Sequence, residues 1–93
     1  MATSIAESLE TTILERVIAP ETPDLPVAAA REILKWSFSD ADHERMSELA
    51  AKARAGTLNP DESAETAAFE RVSSLLGFLK SKARRSLAAA QAK

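Results

Sequence analysis

Gly56-Thr57-Leu58-Asn59-Pro60-Asp61-Glu62 carries a helix stop and a helix start within seven residues. A helix arriving from the N-terminal side ends on Gly56, because glycine takes the left-handed conformation that helix C-termini favour. Asn59 is then a helix cap, Pro60 suits the first helical position where an N–H has no partner anyway, and Asp61 and Glu62 place negative charge at the new helix's positive end. Two helices joined by so short a turn form an antiparallel hairpin, and Leu58 is positioned to pack back across it.

Working toward the N-terminus, Ser39 and Asp42 have capping-box-like spacing, and Asp40, Asp42 and Glu44 load the first turn of the arriving helix with acids. Phe38, just before the cap, helps fix the angle at which the chain enters. Met46, Leu49, Ala50 and Ala53 are expected inward. Before this helix, a shorter one is expected from about Leu25 to Trp36. Its apolar stripes, Ala29-Ile33-Trp36 and Val27-Ala30-Leu34, make a face wide enough to be buried. Asp24 is its expected cap. The connector Pro20-Glu21-Thr22-Pro23-Asp24-Leu25-Pro26 holds three of the chain's four prolines and is stiff. Ahead of it, Ile5, Leu9, Ile13 and Val17 recur every four residues after a Ser4/Glu7 capping box, which predicts a first helix beginning near Ser4 and ending at Pro20.

Toward the C-terminus, Phe69, Val72, Leu76, Leu79, Ala83, Ser86 and Ala90 alternate spacings of three and four and predict one helix from Pro60 to about Ala90. Thirty helical residues span roughly 45 Å, whereas a compact chain of this length has a radius of gyration of about 12 Å. Such a helix bends near Gly77 or meets a partner. A glycine inside a helix costs about 1 kcal/mol against alanine, and close approach of a neighbouring helix is the expected reason for Gly77.

The expected fold class is therefore all-α, with three to four helices, the hairpin around Gly56 and a long C-terminal helix. The 93 residues suggest one domain, with residues 1–24 as N-terminal helix and connector and 25–93 as helical core. Of the apolar residues 19 are alanines, so the core is modest and self-association or a partner would add stability. Trp36, Phe38, Phe69 and Phe78 are the only aromatics and are expected in that core.

The composition argues against several function classes. There is no cysteine, hence no disulfide, thiolate nucleophile or Cys-based zinc site, and His43 is the single histidine. The acids around His43 read as a solvated helix start rather than a metal site. Ser73 and Ser74 have no glycine elbow, and with only Gly56 and Gly77 there is no glycine-rich phosphate loop. No catalytic, cofactor or metal residue is assigned, and the expectation is a non-enzyme. There is no signal-peptide pattern and no long apolar run, so a cytoplasmic protein without membrane contact is expected.

Charge is uneven along the chain. Residues 1–70 hold all 14 acids and 6 bases, and residues 71–93 hold 6 bases and no acid. Arg71, Lys80, Lys82, Arg84 and Arg85 are accordingly the candidate partner-binding residues, for acidic protein surfaces ahead of nucleic acid. No aromatic residue interleaves the basic cluster as single-strand binding requires, and the helix after Gly56 presents Asp61, Glu62 and Glu65, which phosphates repel. Positive charge that simply stabilises a helix C-terminus explains the same residues.

From Ile33 to Leu87 the sequence resembles a family of short, uncharacterised bacterial helical proteins. The pieces that carry the resemblance are Phe38, Asp42-His43-Glu44-Arg45-Met46, Glu48-Leu49, Lys52, the turn Gly56 to Glu62, Arg71-Val72, Leu75-Leu76 and Leu79-Lys80-Ser81-Lys82-Ala83-Arg84. Some members are encoded beside HNH-type nucleases, an arrangement like that of toxin and antitoxin or nuclease and immunity protein. The resemblance implies a helical binding protein, an antitoxin-like or regulatory companion. The expected partners are a protein or a second copy of the chain, with a self-assembling structural role and nucleic-acid binding through the basic C-terminal helix as alternatives.

Overall fold

The computed structural model describes residues 2–92, with side chains from Ala6 to Ala92. Four helices follow one another: α1 Ala2–Ile18, α2 Val27–Leu34, α3 Asp40–Ala55 and α4 Pro60–Gln91. No strand occurs among the described residues, so the class is all-α.

Helix α1 begins at Ala2, ahead of the expected cap, because nothing between Ala2 and Ser4 interrupts helical hydrogen bonding. Ser4 is thus inside the helix, and its side chain lies outside those described. At the other end Ala19 takes φ 51°, the left-handed region, while its N–H still donates to the Glu15 carbonyl at 2.8 Å. The residue before a proline is disfavoured in the right-handed helical region, which is why the helix closes at Ile18 with Pro20 following.

Helix α2 is shorter than its apolar pattern. Pro26, at φ −57° and ψ 147°, is extended and caps the helix without a side-chain bond, so Val27 is the first helical residue and Asp24 is not the cap. The end tightens into a turn in which Lys35 and Trp36 N–H groups donate to Glu32 and Ile33. Helix α3 starts at its expected cap, with one half of the capping box formed: the Asp42 N–H donates to Ser39 Oγ at 3.1 Å, no return bond to the Asp42 carboxylate occurs among the described residues, and Phe38 sits edge-on to His43 with ring centroids 6.0 Å apart. That contact spans the staple positions on either side of the first turn. Gly56 ends α3 at φ 71°. Asn59 and Glu62 then cap α4 reciprocally: Asn59 Oδ1 accepts from the Glu62 N–H at 2.7 Å and Glu62 Oε1 accepts from the Asn59 N–H at 3.0 Å.

The chain forms two compact units. The first comprises α1, α2 and α4 from Ser73 onward. Its core is Ala30, Ile33 and Ala83, with Leu25, Leu34, Leu79 and Leu87 packed around them. The second is Ser37–Val72, the hairpin of α3 and the first part of α4, with Leu49 as its buried apolar residue. Both cores are thinner than the apolar patterns suggest. Trp36 is 46% exposed, Val27, Ala50, Ala53, Val72 and Ala90 are exposed, and Met46, Phe38, Phe69 and Phe78 are half-buried. Helices of alanine with few large side chains bury little per turn, so apolar residues at the edge of a stripe stay in water.

Helix α4 is unbroken through Gly77, and a Cβ placed on Gly77 meets no atom within 4 Å. Close helix approach is therefore not the reason for this glycine. Its position is simply open.

Candidate interaction surfaces

In the first unit, α1 turns its more polar face inward. Glu7, Thr11 and Ile18 are half-buried, and they lie on one side of the helix because they are spaced by four and seven residues. The opposite side carries Leu9, Ile13 and Val17, which are 56%, 47% and 74% exposed, with Leu14 at 40% on the edge. Leu9, Ile13 and Val17 of the four-residue repeat that identifies the helix thus form an outward stripe; the Ile5 side chain lies outside those described. Covering the exposed parts of Leu9, Ile13 and Val17 is worth roughly 3–5 kcal/mol.

The candidate basic residues have divided fates. Lys82 is buried; its Nζ donates to the Ile18 carbonyl at 2.6 Å and pairs with Asp24 Oδ1 at 2.7 Å. One guanidinium N–H of Arg85 donates to the Pro20 carbonyl at 2.8 Å. Ser86 Oγ, also buried, accepts from the Leu25 N–H at 3.2 Å. Residues 82, 85 and 86 fall on one face of α4 by helical spacing, and together they staple the proline-rich connector. The Lys82 ammonium holds the Asp24 carboxyl below its ordinary range, chiefly through their hydrogen bond. Lys80 and Arg71 are half-buried and Arg84 is exposed. Lys82 and Arg85 thus serve the first unit, Arg84 remains outward, and Arg71 belongs to the second unit. Lys93 lies outside the described residues.

The signal for this clasp is present in the sequence, though not in the basic residues themselves. A helix C-terminus leaves carbonyls unsatisfied, and a proline-rich connector has few N–H groups to offer them. Donors must then come from elsewhere, and long basic side chains on a neighbouring helix are suited to the task.

In the second unit the hairpin is crossed by ion pairs. Arg45 grips Glu65 in bidentate fashion, Nε to Oε2 at 2.8 Å and Nη2 to Oε1 at 2.7 Å, and also reaches Glu48 at 3.4 Å. Lys52 Nζ lies 2.6 Å from Glu62 Oε2. Glu62, a buried carboxylate, therefore caps its own helix with one oxygen and ties α3 with the other. Lys52, and then the Asn59 N–H, hold the Glu62 carboxyl below the usual range; Arg45 does the same for Glu65. Glu65 in turn raises the Arg45 guanidinium further above its already high value.

A groove of about 420 Å³ opens beside this network, floored by Phe38, Ala68, Phe69 and Val72 with Asp42 and Glu65 among its lining. Phe38 and Phe69 meet edge to face there, their centroids 5.9 Å apart. Among the described residues no three His, Asp or Glu side chains converge as a metal site, and no helix is long and apolar enough to cross a membrane.

Compared with known proteins, the chain matches no family model, no curated protein and no solved structure.

Proposed function

We propose that this chain is a non-enzymatic, cytoplasmic helical interaction module that captures a protein partner on the outward stripe of α1, as an antitoxin-like or regulatory companion does. The observation that carries this reading is the exposure of Leu9, Ile13 and Val17 on one side of a helix whose other side is half-buried. Contiguous exposed apolar surface on a small protein marks an interaction site. A partner that binds only the folded chain would also stabilise it by mass action, which suits cores this thin. Basic recognition is the weaker support, because Lys82 and Arg85 already serve carbonyls within the first unit. That same use leaves nucleic-acid binding with fewer available cations.

The test is capture from native lysate with the L9S/I13S/V17S variant beside a K80E/R84E variant, each checked for helicity by circular dichroism. Loss of one stoichiometric protein with the first variant and its retention with the second is the expected result. Unchanged capture by the stripe variant, with helicity intact, removes the reading. Self-assembly is the second reading, since the same stripe in a second copy offers an apolar surface of the same kind. Sedimentation at high micromolar concentration separates the two: a strictly monomeric species excludes self-assembly.

A further inference from the structure

The groove of the second unit combines three properties that belong to small-ligand sites. Its volume of about 420 Å³ falls within the ordinary range of such sites. Its floor is apolar and aromatic, with the Phe38 and Phe69 rings set edge to face. Its lining carries two carboxylates that are not equivalent. Both oxygens of Glu65 accept from the Arg45 guanidinium, so its charge is matched. No hydrogen bond or ion pair among the described residues engages the Asp42 carboxylate; only its backbone N–H is used, in the bond to Ser39. Asp42 also suits the positive end of α3, but that field does not occupy its oxygens.

We propose that this groove binds a small organic cation, an ammonium group carried on an aromatic or branched aliphatic body. The body rests on Ala68, Phe69 and Val72, and the ammonium pairs with the Asp42 carboxylate that shares their groove. The net charge of Ser37–Val72 favours a cation as well, with eight acids against four bases. The groove lies wholly within the hairpin unit and does not involve α1, so this site stands or falls separately from the stripe.

Chemical-shift titration of the full chain with phenethylammonium, 2-phenylethanol and 3-phenylpropionate tests the proposal. Saturable shifts at Ala68, Phe69 and Val72, with the cation bound more tightly than the alcohol and the carboxylate least, are expected. D42N should lower affinity for the cation by about two- to fivefold, as an exposed charge pair does, and leave the alcohol unaffected. A68L, which fills the groove without deleting a core side chain, should abolish both. Equal binding of cation and alcohol, an unchanged D42N, or no saturation would overturn the proposal. A capped Phe-Lys dipeptide saturating the same residues at lower concentration would also overturn it, by moving the site to a partner protein's side chains. The L9S/I13S/V17S variant should bind phenethylammonium as the unaltered chain does.

Discussion

The Lys82 ammonium closes the C-terminus of α1 by donating to the Ile18 carbonyl at 2.6 Å, across 64 positions of sequence. Lys82 is buried, and its remaining charge is answered by Asp24. Removing the side chain leaves a helix-end carbonyl without its donor and Asp24 without its cation. Lys82→Met keeps most of the aliphatic stem and isolates the polar loss, which should cost about 1–3 kcal/mol. Urea unfolding followed by circular dichroism reads this directly, and a midpoint unchanged from the parent would mean the clasp contributes nothing net.

Acid should loosen both units. The carboxyls of Glu62, Glu65 and Asp24 sit below their ordinary values of 4.5, 4.5 and 3.8 in the folded chain. Between the ordinary and the folded values the unfolded chain therefore binds protons that the folded chain refuses. Their contribution is fully present above about pH 4.5 and is lost as pH falls through the lowered folded values. The urea midpoint should be level with respect to these groups from pH 7 to 5 and decline below. In the E62Q/E65Q variant the decline should be shallower, from a lower plateau at neutral pH. An equally steep decline would assign the acid sensitivity to other groups.

Ala19 is held at φ 51°, where a side chain other than glycine is strained by roughly 1–2 kcal/mol. Ala19→Gly relieves that strain and gives back part of the gain as unfolded-state entropy. A net stabilisation of about 0.5 kcal/mol is expected in thermal unfolding. A loss of stability would show that the Ala19 methyl, which is half-buried, contributes more by packing than it costs in strain.

Local chemistry was legible where both partners lie within one turn. Gly56 at φ 71°, the Ser39 cap and the Asn59 cap all follow from neighbouring residues, and each stands where its sequence predicts; the return bond from the Asn59 N–H to Glu62 goes beyond the dipole role expected of that acid. Periodicity likewise marks α1 as a helix. It does not say which face turns inward, because Leu14 and Ile18 make a second apolar side, and the half-buried side proves to be the one with Glu7 and Thr11. The basic residues show the same limit more sharply. Arg84 and Arg85 are adjacent, chemically alike and both exposed, yet it is Arg85 that serves the Pro20 carbonyl. Only the path of the connector, set by contacts more than 60 positions apart, distinguishes them.

Gly77 tests whether α4 is shaped by its own fold or by something it binds. The helix passes through this residue unbroken, and a Cβ there meets nothing within 4 Å. In an exposed helix interior, alanine is better than glycine by about 1 kcal/mol, since it restricts the unfolded backbone and shields helical hydrogen bonds. Gly77→Ala should therefore raise stability by close to that amount in urea unfolding, with no change in the shifts of Ala30, Ile33 and Ala83. If stability rises as expected while capture of a partner falls, the open surface at Gly77 belongs to the interface, because only a surface approached closely in the complex would be disturbed by one methyl group. If both stability and capture are maintained or improved, the partner does not approach this part of α4. A fall in stability would instead mean that glycine relieves a bend in α4, and the unbroken helix would have to be abandoned.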